Sequence, residues 1–360
     1  MERNLYLDKL IRRKNNGMIK VITGIRRCGK SYLLFELFYE YLLSTGVNKD
    51  HIIKIALDDR INKKYRDPDV LCEYVHDAVK DDDMYYVLLD EVQMVSEFED
   101  VLNSFLHLKN VDTYVTGSNA KFLSKDIITE FRGRGDQVHL YPLSFTEYMQ
   151  GRNIDRLQAW QEYTMYGGLT NPKKLADTFK TVKNVSVHPD RIKTYLDYFE
   201  DSFLISRANR YDVKGKKYIS TPMKFYFTDC GLGNVRINFR QYEETHIMEN
   251  IIYNELLIRG FNIDVGMVEY NYCTEDKRKV QKQLEVDFVC NLGSKRLYIQ
   301  SALVLPTKEK EEQEQLSLQN ISDSFKKIII VKDGPTHYNE SGILILNVFD
   351  FLLKENSLEY

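Results

Sequence analysis

Short apolar runs alternate with helix-spaced polar stretches along the first 150 residues. Residues 19–23, 52–57, 84–89, 113–116 and 137–141 each read as a strand. Residues 5–14 form a short basic amphipathic pattern, expected to pack under the first strand or beside the loop after it; 32–38 and 67–79 read as helices. Strand and helix taking turns in this way predict an α/β core over residues 1–150. Beyond Tyr148 the pattern changes. A helix at 157–163 runs into Tyr166-Gly167-Gly168-Leu169, a tight bend expected to lie against that core. A helix follows at 191–200, with Ile192, Tyr195, Leu196 and Phe199 on one face, and then two β-segments at 204–211 and 217–227. Helix followed by hairpin predicts a winged-helix-like domain over 151–238. The remainder, 239–360, reads as a further α/β domain. It has a helix at 247–259 stopped by Gly260, strands at 261–266, 283–290 and 296–302, and a charged helical face opening at 308–315. Strands at 326–331 and 343–348 precede a terminal helix.

Composition changes this picture little. The chain has 50 Lys and Arg against 53 Asp and Glu, a formal net charge of −3, so no whole-chain basic field singles out nucleic acid. Locally, Arg207, Arg210, Lys214, Lys216 and Lys217 crowd the hairpin. They read either as a phosphate-contacting wing or as a solvated or inter-domain surface. No apolar run approaches the roughly 18 residues of a membrane span, and the first residues have no apolar signal core. The five cysteines, Cys28, Cys72, Cys230, Cys273 and Cys290, have no paired metal spacing. A folded cytoplasmic protein with free thiols and no membrane partner is the expectation.

The chemistry concentrates where the first strand ends. Gly24-Ile25-Arg26-Arg27-Cys28-Gly29-Lys30-Ser31 fits G-x-x-x-x-G-K-[ST], the phosphate-binding loop, and a helix follows through Tyr32. The spacing has a physical reason. Backbone N–H groups must wrap a polyphosphate, which needs glycines where a Cβ would clash or φ must be positive. Lys30 places a point charge on the β and γ phosphates, Ser31 offers a hydroxyl to Mg²⁺, and the helix directs its positive end at the anion. Residues 24–32 are therefore the candidate ATP-binding set. The strand at 84–89 exits into Asp90-Glu91. An aspartate there can hold Mg²⁺, and the adjacent glutamate can polarise the attacking water.

Two further groups are candidates for responding to the γ-phosphate. Asn119, ahead of Ser118, follows the strand at 113–116; its amide both donates and accepts, and the competing reading is a helix N-cap. Arg134, ahead of Arg132, sits in the glycine-flanked Phe131-Arg132-Gly133-Arg134-Gly135. It reads as a catalytic arginine acting in cis or across a subunit boundary, or as a solvated residue or salt-bridge partner.

These residues, with Leu89-Asp90-Glu91-Val92-Gln93, Thr116-Gly117-Ser118-Asn119 and Tyr141-Pro142-Leu143-Ser144-Phe145-Thr146-Glu147-Tyr148, resemble a group of prokaryotic AAA-type P-loop ATPases. That group carries a C-terminal domain of unknown function related to PD-(D/E)xK nucleases. The resemblance implies ATP binding and hydrolysis, an α/β core, a winged-helix-like middle and a nuclease-like end; it implies no substrate. In the nuclease pattern, carboxylates on a helix and a strand hold Mg²⁺ beside an E-x-K strand. Glu249 and Asp287 stand at the first two positions, but Gln300-Ser301-Ala302 replaces E-x-K. Loss of that charge and of the lysine predicts an inactive nuclease-like domain. The expected function is Mg²⁺-dependent ATP hydrolysis coupled to a protein or nucleic-acid partner through the winged-helix and C-terminal domains. The rivals are a nucleotide-switched scaffold and a nucleic-acid-binding protein with little turnover.

Overall fold

The computed structural model describes residues 3–117, 133–168, 189–236, 243–273 and 279–360. Two compact units emerge, Met1–Pro142 with Ser186–Leu204, and Leu143–Val185 with Ile205–Tyr360. The first boundary falls eight residues before the expected position 150, and the chain forms two units where three domains were expected.

In unit 1 the helix α1 (Asn4–Ile11) precedes β1 (Ile19–Thr23). Then comes α2, which runs through Lys30–Tyr32, a π-helical stretch Leu33–Phe38, and Tyr39–Ser44. β2 (Ile52–Ala56), α3 (Pro68–Ala78), β3 (Tyr85–Asp90), α4 (Phe98–Phe105), β4 (Val111–Thr116) and β5 (Gly135–His139) complete the series. The sheet order is β2-β3-β4-β1-β5, and every neighbouring pair is parallel. Such a sheet is covered on both faces, so its strands read as unbroken apolar runs; every residue of β1 and of β3 is buried. α4 was not legible as a separate element, yet Phe98, Val101, Leu102 and Phe105 repeat at helical spacing. They pack with Leu71 and Val75 of α3 on Val87, Leu89 and Val115. Each such side chain contributes about 1.5–3 kcal/mol on burial. Inside this core Lys20 pairs with Asp112, which also accepts from Tyr114 Oη and Asn15 N at 2.9 Å each. Removing one member of a buried pair of this kind costs roughly 3–5 kcal/mol.

Unit 2 contains α5 (Phe145–Arg152), α6 (Arg156–Tyr166), β6 (Ile205–Asp212), β7 (Lys217–Phe227), α7 (Cys230–Arg236) and α8 (Glu244–Ile258). These are followed by β8 (Asn262–Cys273), β9 (Lys279–Leu292), β10 (Lys295–Ala302), α9 (Lys308–Gln319), β11 (Lys326–Val331), β12 (His337–Tyr338), β13 (Leu344–Asn347) and α10 (Val348–Leu353). One eight-stranded sheet runs β12-β13-β11-β10-β9-β8-β6-β7. The expected wing is corrected here. β6 pairs in parallel with β8 through Arg210–Val265 to Asp212–Met267, so the hairpin is the edge of this sheet and not a free wing. The expected bend at Gly167-Gly168 is also relocated. It packs within unit 2, where a Cβ on Gly168 would drive into the Leu143 carbonyl and one on Gly167 into the Asp229 carboxylate. Asp229 Oδ2 accepts from Gly168 N at 2.6 Å, which fixes the bend. On one face of the sheet, Met248, Ile251, Ile252 and Leu256 of α8 pack on Phe288, Ile299, Ile328 and Ile330.

Candidate active site

The phosphate loop closes at the C-terminal end of β1, the end where open α/β sheets bind ligands. Gly24 has φ 145°, and a Cβ there would enter the Leu140 carbonyl. Arg27 and Gly29 are also left-handed, at 71° and 98°, which turns the chain so that α2 starts at Lys30. Lys30 is buried, and its Nζ donates to the carbonyls of Gly24 at 3.0 Å and Ile25 at 3.1 Å. The ammonium thus spans the inside of the loop. Arg26, Arg27, Ser31 and Tyr32 are exposed, whereas Ile25 and Cys28 are buried. Burial pushes the Cys28 thiol up, so it packs and does not act as a nucleophile.

α1 lies beside this loop. Arg3, just before it, donates through Nη1 to Cys28 O at 3.0 Å and through Nη2 to Tyr141 O at 2.8 Å. His139, at the end of β5, shares a hydrogen bond of 3.2 Å with Thr23 Oγ1. Burial, helped by the Lys30 charge, pushes His139 down to about 4, so its imidazole is neutral at pH 7.

β4 lies between β1 and β3, and this order builds the rest of the site. Thr116, the last residue of β4, pairs in register with Ile22 and stands next to the end of β3. Its hydroxyl donates to Asp90 Oδ1 and accepts from Glu91 N at 3.0 Å. Ser31 also bonds the Asp90 carboxylate. Asp90 is buried, and burial raises its pKa; among the described residues its hydrogen-bond partners are hydroxyls and not a cation. A buried carboxylate of this kind, joined to the serine of the phosphate loop, fits a divalent ion with hard oxygen ligands. Glu91 exits β3 with φ 54°, a sparsely populated conformation for a non-glycine residue, and Gln93 Nε2 donates to its carboxylate. Thr116 stood in the sequence only as part of Thr116-Gly117-Ser118-Asn119, with no role of its own. The one signal for it is a hydroxyl at the end of the fourth apolar run.

Arg134 is elsewhere. β5 is parallel to β1, with Ile19 opposite Gly135 and Thr23 opposite His139. Arg134, whose carbonyl accepts from Ile19 N at 2.8 Å, is therefore exposed at the opposite end of the strand from the loop. At about 3.3 Å per residue that is roughly 15 Å away. Of the alternatives offered for Arg134, action in cis finds no support in this register. Asn119, Ser118 and Arg132 lie outside the described residues.

Residues 16–149 match a family model described as an AAA domain, and residues 139–243 match one described as a domain of unknown function (DUF8612). An uncharacterized protein of Haemophilus influenzae is 28% identical, over 98% of this chain and 99% of its own length. An uncharacterized protein of Methanocaldococcus jannaschii is 26% identical, over 95% of this chain and 86% of its own. Among solved structures, Cdc6p from Pyrobaculum aerophilum overlaps 44% of this chain and 50% of its own at 13% identity and a TM-score of 0.31. A DNA polymerase III gamma subunit-related protein from Thermotoga maritima overlaps 71% and 81% at 10% identity and a TM-score of 0.31. Overlaps this loose carry no functional argument. Residues 16–149 thus resemble an AAA domain, and the phosphate loop, the acidic exit of β3 and Thr116 all fall within that span. No helix among the described residues is long and apolar enough to cross a membrane.

Proposed function

We propose that the protein hydrolyses ATP to ADP and phosphate. The observation that carries this reading is the convergence on Asp90 of Ser31, from the start of α2, and Thr116, from the end of β4, with Glu91 N held by the same Thr116 hydroxyl. Lys30 and the loop N–H groups bind the polyphosphate of the substrate. Ser31 and Asp90 would hold Mg²⁺, which supplies charge neutralisation at the β and γ phosphates. Glu91 orients a water and takes its proton as the water oxygen bonds to the γ-phosphorus and the bond to the bridging oxygen breaks. Thr116 positions both carboxyl-bearing residues through one hydroxyl.

The test is ATP turnover in wild type against Glu91→Gln. A loss of about 10²–10⁴ in kcat, with ATP still bound, is the expected result. Undiminished turnover removes Glu91 as the base. Lys30→Ala should lose tight ATP binding, and wild-type affinity in that variant overturns the loop assignment.

Unit 2 is read as a partner-recognition module with a nuclease-like core, supported by its order of helix, three strands, helix and strand. Its basic hairpin is a weaker nucleic-acid surface than the sequence suggests. Arg210 pairs with Glu285 at 2.9 Å and Arg207 lies over the Phe225 ring, which leaves Lys214, Lys216 and Lys217 exposed. A protein partner is the favoured reading. Arg134, exposed at the far end of the sheet, is assigned to the nucleotide of a neighbouring copy. Arg134→Ala should then lower turnover only at concentrations where the chain self-associates.

A further inference from the structure

Unit 2 holds a second group of converging carboxylates, and a lysine fills it. Glu249 projects from α8, and Glu285 and Asp287, two residues apart on one face of β9, complete the group. Lys224 Nζ, from β7, lies 2.6 Å from Glu249 Oε1, 3.1 Å from Glu285 Oε1 and 3.8 Å from Asp287 Oδ1. Further partners surround the group, and His246 Nδ1 lies 4.0 Å from Glu249 Oε2. Tyr226 Oη donates to Glu249 Oε1 at 2.7 Å, Ser301 N to Asp287 Oδ2 at 2.8 Å, and Arg210 pairs with Glu285 Oε2. Glu249 and Asp287 are 8% and 9% exposed, so their charges demand compensation that water does not supply.

The neighbouring strand adds no charge. Gln300 Oε1 accepts weakly from Asp287 N at 3.4 Å, and Ala302 is buried in an apolar cluster. The cation comes instead from the hairpin. Lys224 stands opposite Ala208, beside a bulge between Ala208 and Arg210, and bulges re-aim side chains in this way. Lys224 and Glu249 also line a cavity of about 420 Å³, together with Tyr226, Glu243 and His246.

We propose that Lys224 is the resident cation of the Glu249–Glu285–Asp287 cluster, an ammonium in the place a divalent ion would take. The hairpin contributes the compensating charge, so the cluster binds no metal and unit 2 performs no metal-dependent phosphodiester chemistry. This inference stands apart from the ATPase reading, because none of its residues belongs to the phosphate-loop site.

The experiment is Mn²⁺ titration of the full chain without nucleotide, followed by the EPR signal of free Mn²⁺. Wild type and Asp287→Asn should bind equal numbers of ions. Lys224→Ala should gain one ion per chain, and the double variant Lys224→Ala/Asp287→Asn should lose it again. An ion bound by wild type and lost in Asp287→Asn overturns the proposal, as does a folded Lys224→Ala that gains none. If Lys224→Ala folds only with Mn²⁺ present, the metal has replaced the ammonium and the proposal holds; if it unfolds with and without Mn²⁺, the proposal fails. Incubation of wild type with Mn²⁺ and DNA or RNA gives an independent reading, since cleavage lost in Asp287→Asn overturns it as well.

Discussion

Asp90 in unit 1 and Asp287 in unit 2 are both buried carboxylates whose pKa burial raises, yet their surroundings differ in kind. Asp90 is met by the hydroxyls of Ser31 and Thr116. Asp287 is met by a backbone N–H and lies in a cluster centred on an ammonium. Hydroxyls orient a carboxylate without cancelling its charge, so the site keeps its attraction for an incoming cation. The Lys224 ammonium cancels part of the charge in place, and the attraction is spent inside the fold. A buried carboxylate on a strand thus announces a metal only once its neighbours are known.

Substitutions at the two sites should therefore diverge. Asp90→Asn is expected to cut ATP turnover by about a hundredfold or more, since the ion it would hold contributes several kcal/mol to the transition state. The same change should raise the thermal stability of the nucleotide-free chain, because it removes an uncompensated buried charge; a fall in stability would break the comparison. Lys224→Ala should do the reverse, lowering stability by about 3 kcal/mol in denaturant unfolding while ATP turnover stays at the wild-type level. Thr116→Val removes one hydroxyl that serves Asp90 and Glu91 together. Loss of a hydrogen bond to a charged group of about 1.5–3 kcal/mol predicts a drop in kcat of roughly 10- to 100-fold, with ATP affinity nearly unchanged.

The last expectation is a pH dependence. Burial, with Glu249 beside it, raises Asp287 to about 7, above its unfolded value. The native state then holds a proton that the unfolded state has released, so this group lowers stability as pH rises from about 4 to about 7. Asp287→Asn should flatten that part of the stability profile relative to wild type, and a profile left parallel to wild type would count against the cluster as described.

The apolar runs at 19–23 and 84–89 were legible because strands buried on both faces carry no alternation to confuse them. Gly24 to Ser31 and Asp90-Glu91 were legible for a related reason. Their chemistry depends on short-range backbone geometry, where residue type and spacing are nearly the whole requirement. Helix α4 was passed over although Phe98, Val101, Leu102 and Phe105 repeat at helical spacing, because eight residues are a shorter window than a periodic reading needs. Thr116 was passed over because threonine at a strand end is ordinary until the strand order is known.

The local sequence by itself determined a phosphate loop, its following helix and the acidic exit of β3. Only tertiary structure decided which groups those elements meet. Strand order put Thr116 between the loop and Asp90, parallel register carried Arg134 to the far end of β5, and sheet pairing turned an expected wing into the edge that delivers Lys224. Lys224 meets Asp287 across 63 residues of chain, and no local pattern encodes an encounter at that separation. Contacts of this kind follow from how whole strands align, so the same lysine would read as one more exposed basic residue until the sheet is assembled.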